Sequence, residues 1–348
     1  VWFRNKLFDR GLLPSETYPV PVISVGNLNA GGSGKTPHTE YLIELLQKRY
    51  RLAVLSRGYK RKTKGFLIAG ENASAETVGD EPYQLYRKYP AVLVAVDENR
   101  REGIGILLDL PASVRPEVIL LDDAFQHRYV KPSLSILLTD SARPYTSDRL
   151  LPAGRLRESK AGARRADVII ATKTPDSFTS ADYSNIGQQL HPEPSQDLFF
   201  TSYDYKGLLP VFPDYTHVKK ETHERLRKNN YALLLVAGIA NPEPLKTYLR
   251  KFTNTFAALI YRDHHAFTQR DMSDIKQAFD QLGTKDKLII TTEKDAVRMI
   301  DSPYVPKSIK PYVFYQPIEV KFNINQEESF NHKIYNHVDN FKRNSILA

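Results

Sequence analysis

Val20-Pro21-Val22-Ile23-Ser24-Val25-Gly26-Asn27-Leu28-Asn29-Ala30-Gly31-Gly32-Ser33-Gly34-Lys35-Thr36 is the stretch of this 348-residue chain on which its fold turns. The apolar run Val20–Val25 predicts a buried strand, and Thr36–Tyr50 predicts a helix. Strand, glycine-rich loop, Lys-Thr and helix together make a phosphate-binding loop, or P-loop. Glycines let successive backbone N–H groups curl around phosphate oxygens, and the helix N-terminus adds partial positive charge. The expected phosphate cradle is Asn29, Ala30, Gly31, Gly32, Ser33, Gly34, Lys35 and Thr36. Lys35 is placed to reach the outer phosphates, and the Thr36 hydroxyl to hold Mg²⁺. The strict pattern wants glycine where Asn29 stands; Asn tolerates a left-handed backbone better than most residues, so it is expected to substitute there.

Outward from the loop, short apolar runs alternate with helix-like segments. Strands are expected at Leu52–Ser56, Ala91–Val96, Val118–Leu121, Ser135–Thr139 and Val168–Ala171, almost wholly apolar, as parallel strands buried on both faces are. This rhythm predicts an α/β fold: a doubly wound, mostly parallel P-loop NTPase sheet. A stretch rich in Ser, Asp, Pro and Tyr follows, and then a second rhythm (Ala232–Val236, Phe256–Tyr261, Lys287–Thr291, Tyr312–Tyr315) predicts a smaller second α/β domain. The expected divisions are an N-terminal membrane-associated helix over 1–18, a kinase domain over 19–205, a C-terminal domain over 206–326 and a frayed polar tail over 327–348. Asp122 and Asp123 close an apolar strand, where this class keeps carboxylates for Mg²⁺. After Val168–Ala171 the chain reads Thr172-Lys173-Thr174-Pro175. The Asp that would read guanine is missing, which favours ATP over GTP.

Hydrophobic residues make up 41% of the chain, enough for a sizeable core. No run reaches the roughly 18 apolar residues of a membrane span. The lack of cysteine excludes disulfides, thiolate metal sites and a cysteine nucleophile. A formal charge of +9 favours phosphorylated, nucleic-acid or anionic-membrane partners without choosing among them. The opening Val1-Trp2-Phe3-Arg4-Asn5-Lys6-Leu7-Phe8 suits either a helix lying in a membrane interface or one packed on the protein's own core. The chain opens on Val rather than Met, so its start is expected further upstream.

The surrounding motifs narrow the class. They are Arg4-Asn5-Lys6-Leu7-Phe8-Asp9, Gly26-Asn27 leading into Gly31 to Pro37, Ser56-Arg57-Gly58-Tyr59 and Gly79-Asp80-Glu81-Pro82. Asp122-Asp123-Ala124-Phe125-Gln126-His127-Arg128 and Leu151-Pro152-Ala153-Gly154-Arg155-Leu156-Arg157-Glu158 follow, then Ala237-Gly238-Ile239, Asp263-His264-His265 and Thr292 to Val297. In this order they resemble the tetraacyldisaccharide 4′-kinase family. Ala124 stands where that family usually has Gly.

The resemblance implies transfer of the ATP γ-phosphoryl group to the 4′-hydroxyl of a lipid disaccharide 1-phosphate, giving lipid IVA at the cytoplasmic face of the bacterial inner membrane. It also implies Asp80 as the base and His264 as its partner across a domain cleft, beside Lys35. From its position alone, Asp80 is equally a helix N-cap. Gln126 is expected near the metal with Asp122, Asp123 and Thr36. Arg57, Arg155 and Arg157 are candidates for the substrate phosphate or sugar, with Tyr59, and Glu158 for the sugar or the metal. Lys294 and Asp295 either approach the nucleotide or simply start a helix. A monomer with no nucleic-acid partner is expected. The rival classes are a switch or metal-delivery ATPase, a soluble small-molecule kinase and a nucleic-acid binder.

Overall fold

The computed structural model describes residues 1–347. Their contacts divide them into two compact units, Val1–Asp204 with Val320–Ala348 and Tyr205–Glu319. The first is built on a nine-stranded sheet. From edge to edge it runs Ile318–Phe322, Asp197–Tyr205, Val168–Thr172, Leu134–Asp140, Val22–Asn27, Val118–Asp122, Leu52–Ser56, Leu93–Val96 and Leu67–Ile68. Pairing is parallel from Asp197–Tyr205 to Leu93–Val96, and the short Leu67–Ile68 is antiparallel to its neighbour.

The strand Val22–Asn27 is buried along its whole length between Val118–Asp122 and Leu134–Asp140. Strands buried on both faces need helices on both sides of the sheet. The helix Lys35–Leu46 meets that need by burying Leu42, Ile43, Leu45 and Leu46. The chain's strand order reverses around the central strand, so the loop leaving it opens at the carboxyl ends of the sheet, where open α/β folds bind ligands.

The N-terminal helix Trp2–Asp9 docks on this unit by one face. Phe8 is buried edge-on to Tyr129 with ring centroids 4.9 Å apart, and Arg128 lies over Phe8 while pairing with Asp9 at 2.7 Å. The other face leaves Val1, Trp2 and Phe3 65–69% exposed.

The tail differs from expectation. Glu327–Leu347 is a 21-residue helix that belongs to the first unit. Phe330, Ile334 and Val338 are buried at a spacing of four, Tyr335 Oη donates to Leu45 O at 2.8 Å, and Lys342 pairs with Glu117 at 2.7 Å. A stripe of one apolar residue per turn is enough to dock a helix, yet it barely lifts local hydropathy. The segment just before it, Ile318–Phe322, is an edge strand of the first sheet and not the end of the second domain.

The second unit carries a five-stranded sheet, Phe256–Ile260, Ala232–Ala237, Lys287–Thr292, Val313–Gln316 and Leu209–Pro210. The first four strands are parallel and the last antiparallel. Met272, Ile275 and Phe279 of the helix Gln269–Asp280 pack with Leu234, Val236 and Ile289 in its core.

Candidate active site

The buried central strand Val22–Asn27 delivers residues 28–34 into a tight loop. Gly31, Gly32 and Gly34 have φ of +88°, +52° and +85°. A Cβ on Gly34 would also lie 1.8 Å from the Tyr203 hydroxyl, so only glycine fits. Asn29 is not among the residues with positive φ, so the expected backbone reason for it does not hold. Instead its side chain donates to buried Asp148 at 2.9 Å, a tie that glycine lacks.

Side chains pin the loop's carbonyls. Thr172 Oγ1 donates to Ser33 O at 3.0 Å, Lys173 Nζ donates to Gly32 O, and His38 Nδ1 meets Gly34 O at 2.8 Å. Each trans peptide carries its N–H opposite its carbonyl, so fixing one side of the loop orients donors to the other. Because Gly34 O can only accept, His38 Nδ1 must carry the proton and Nε2 then accepts from Thr201 Oγ1 at 3.0 Å. Burial pushes this imidazole down to about 4, which keeps it neutral.

The two carboxylates at the end of Val118–Asp122 differ in role. Asp122 is buried and accepts from Ser56 Oγ at 3.2 Å and Thr39 Oγ1 at 3.3 Å. Burial first, and then the neighbouring Asp123 charge, push it up to about 6. Asp123 sits in a left-handed conformation and lies 3.7 Å from Lys35 Nζ. It also accepts from Arg157 at 2.9 Å. Burial works against its charge, but Lys35 and Arg157 outweigh that and hold it below the usual range. Hard oxygen donors from Asp122, Asp123 and the Thr36 hydroxyl suit Mg²⁺, and a divalent charge would relieve the cost that burial imposes on Asp122.

Arg157 also donates to Asn27 Oδ1, which makes it part of the phosphate loop's surroundings. Gln126 donates from Nε2 to Asn27 O at 2.8 Å and to Glu158 Oε1 at 3.0 Å, while its Oε1 is buried without a hydrogen-bond partner. Glu158, expected against the sugar or the metal, is 2% exposed. It accepts from Arg165 at 2.9 Å, from Asn5 of the N-terminal helix at 2.8 Å and from Gln126. With its oxygens so engaged, it is a buried hub and not an open substrate ligand.

Arg57, Tyr59 and Arg155 are exposed. Nearby, Arg100 is buried and brought down to about 10, first by burial and then by Arg57, with Asp123 and Asp122 pulling the other way. His127 is pushed down to about 4 by burial and by the charges of Arg100, Arg4, Arg101 and Arg57. Asp80 is the first residue of the helix Asp80–Lys88; the N-cap position belongs to Gly79, at φ +94°.

In the second unit, His264 has φ +61°, with Lys294 Nζ 3.1 Å from its Nε2 and Arg298 3.3 Å from its Nδ1. Asp295 is fully buried and accepts from Gly238 N at 2.9 Å, Thr292 Oγ1 at 2.7 Å and Arg298 at 2.7 Å. Thr292 also caps the helix Glu293–Ile300, so for Asp295 the structural reading is the one these contacts favour.

The family model described as LpxK, tetraacyldisaccharide-1-P 4'-kinase, matches residues 1–339. The chain belongs to this family. A tetraacyldisaccharide 4'-kinase of Parabacteroides distasonis is 50% identical over 348 residues, covering 100% of this chain and 94% of the relative. One from Bacteroides thetaiotaomicron is 49% identical over 351 residues, at 100% and 92% coverage. A crystal structure of LpxK from Aquifex aeolicus in complex with ATP superposes with a TM-score of 0.70 at 31% identity, over 97% of this chain and 94% of that one.

Within the frame of this kinase family, three residues around the phosphate loop escaped sequence reasoning. Asp148 and His38 lie in no recognisable motif, and their roles come from partners 119 and 163 positions away. Arg100 sits at a helix start, Arg100–Leu108, where a basic residue reads as surface. Lys173 was visible as a failed guanine motif, though not as a tie to the loop.

Proposed function

We propose that this kinase transfers the γ-phosphoryl group of ATP to the 4′-hydroxyl of a tetraacylated glucosamine disaccharide 1-phosphate, giving lipid IVA, at the cytoplasmic face of the inner membrane. The observation that carries the reading is a phosphate loop with pinned carbonyls whose Lys35 lies 3.7 Å from one of two strand-end carboxylates. The loop amides and Lys35 bind the β- and γ-phosphates and spread the charge that develops during transfer. Mg²⁺, held by Thr36, Asp122 and Asp123, would neutralise phosphate oxygens and orient the transferring group. Arg157 holds Asp123 in place, and Gln126 supports the same region through Asn27.

A sugar hydroxyl is a poor nucleophile near neutral pH, so a carboxylate must take its proton as the new P–O bond forms and the γ-phosphorus leaves the β-phosphate oxygen. Asp80 is assigned that role, and His264, its imidazole held by Lys294 and Arg298, is assigned a catalytic part. The exposed Arg57, backed by the positive field of Arg100, is assigned to the lipid's 1-phosphate, with Tyr59 beside it and Arg155 for the sugar. The enzyme acts as a monomer, held peripherally by the Trp2–Phe3 face.

The test is transfer from γ-labelled ATP to the disaccharide 1-phosphate in detergent micelles, comparing the native chain with Lys35→Ala and Asp80→Asn. Transfer that collapses in both supports the two roles. Transfer lost only in Lys35→Ala keeps the kinase and removes Asp80 as base. ATP hydrolysis without any transfer would turn the reading toward a switch-type ATPase.

A further inference from the structure

Residues 149–155 form a tip that projects Leu150 and Leu151, 50% and 55% exposed, between Arg149 and Arg155. Isolated exposed leucines are ordinary on a protein surface. Two in succession on a rigid tip are not, because a firmly held tip cannot fold them away. Three backbone bonds close it: Leu151 N to Leu156 O at 3.0 Å, Gly154 N to Leu150 O at 3.0 Å and Leu156 N to Arg149 O at 2.9 Å. A Cβ at Gly154 would lie 2.3 Å from Arg149 O, so the turn closes as tightly as glycine allows.

Beneath the tip, Asp148 is 3% exposed and accepts from Arg149 N, Arg155 N, Arg143 and Asn29 at 2.8–3.1 Å. The same base joins the phosphate loop through Ala30 N to Arg155 O at 2.6 Å and Arg157 N to Leu28 O at 2.8 Å. One residue past Arg157, Glu158 receives Asn5 of the N-terminal helix, so the tip and the helix that exposes Trp2 and Phe3 are fastened to one hub.

We propose that the Arg149–Arg155 tip is a second membrane-contact element, with Leu150 and Leu151 entering the acyl region of an anionic bilayer and Arg149 on its phosphates. Charge complementarity selects this occupant: two guanidinium groups bracket the leucines on a chain of net charge +9, a pattern suited to a lipid interface. The inference rests on the peripheral-membrane reading above and adds a second anchor to it. The tip's base is hydrogen-bonded to the phosphate loop, so seating it in the bilayer also sets the height of the active site above the lipid.

The experiment measures co-sedimentation with vesicles containing phosphatidylglycerol, for the native chain and for Leu150→Ser/Leu151→Ser. Alongside it, Leu151→Trp in a Trp2→Phe background reports insertion by quenching from brominated lipid, the chain having a single native tryptophan. Vesicle binding should weaken by about tenfold per leucine. Kinase turnover in detergent micelles should persist, which shows that the variant folds, and the tip tryptophan should be quenched. If the native chain itself fails to bind vesicles, the membrane reading falls. If it binds but the double variant binds equally and the tryptophan is not quenched, only this proposal falls. Unchanged vesicle binding with a raised KM for the lipid would assign the tip to the substrate's acyl chains and overturn it. A dimer in solution that the double variant dissociates would do the same.

Discussion

Asp122 shows a single residue set against its surroundings. Its carboxylate is buried beside Asp123 and pushed up to about 6, a cost on the order of 2–3 kcal/mol at neutral pH in the protein without nucleotide. Asp122→Asn is therefore expected to raise the thermal midpoint of the nucleotide-free protein at pH 7–8 while lowering phosphoryl transfer at least about a hundredfold. A variant that loses both stability and activity would mean that the carboxylate is structural. His38 gives the pH dependence. Its folded value of about 4 lies below the ordinary 6.5, so the fold favours the neutral ring. The stability it contributes is complete above about 6.5, falls as pH drops toward 4 and is flat below that, an effect of roughly 3 kcal/mol. His127 carries a shift of the same sign. Denaturant unfolding at pH 7 and pH 4.5 should therefore show a smaller acid loss in His38→Gln than in the native chain, with a residue of the effect left to His127. Sequence alone could propose Asp122 from its place at a strand end, but it could not separate it from Asp123, because their difference lies in Ser56, Thr39, Lys35 and Arg157.

Among the elements, the phosphate loop and the parallel strands were legible because their signals are local. Leu52–Ser56 is found at its expected bounds, and Val118–Asp122 and Lys287–Thr292 exceed theirs by one residue. What stayed hidden depends on distant partners. The strand Ile318–Phe322 alternates half-buried and exposed positions before the buried Phe322, and the tail helix shows one apolar residue per turn. Glu158 looked like a site residue because its motif neighbours are, whereas Arg165, Asn5 and Gln126 enclose it. Two element-scale outcomes follow from the contacts. Gly34→Ala should lose nucleotide binding by calorimetry and about 2 kcal/mol or more of stability, because strain at φ +85° adds to the overlap with Tyr203. Phe330→Ala should cost roughly 3–5 kcal/mol in urea unfolding, since its ring lies fully inside a cluster with Phe199, Phe322 and Tyr41. A cost below about 1 kcal/mol would return the tail to the frayed state first expected.

For the whole molecule, the charge of +9 together with the exposed Trp2, Phe3, Leu150 and Leu151 would make the proposed membrane engagement partly electrostatic. Turnover on anionic vesicles should therefore fall between about 0.05 and 0.5 M salt as screening shortens, while turnover on detergent-dispersed acceptor changes much less. Equal salt sensitivity in both would place the charge effect in the active site and not at the surface. The first unit is closed by residues late in the chain: Ile318–Phe322 completes its sheet beside Asp197–Tyr205, and Glu327–Leu347 docks through its buried Phe330, Ile334 and Val338. On the ribosome, the nascent first unit must therefore wait with Asp197–Tyr205 as an open edge while more than a hundred residues of the second unit, Tyr205–Glu319, are translated. A stop codon between the codons of Glu319 and Phe330 would release a polypeptide whose nucleotide-binding half had never been finished.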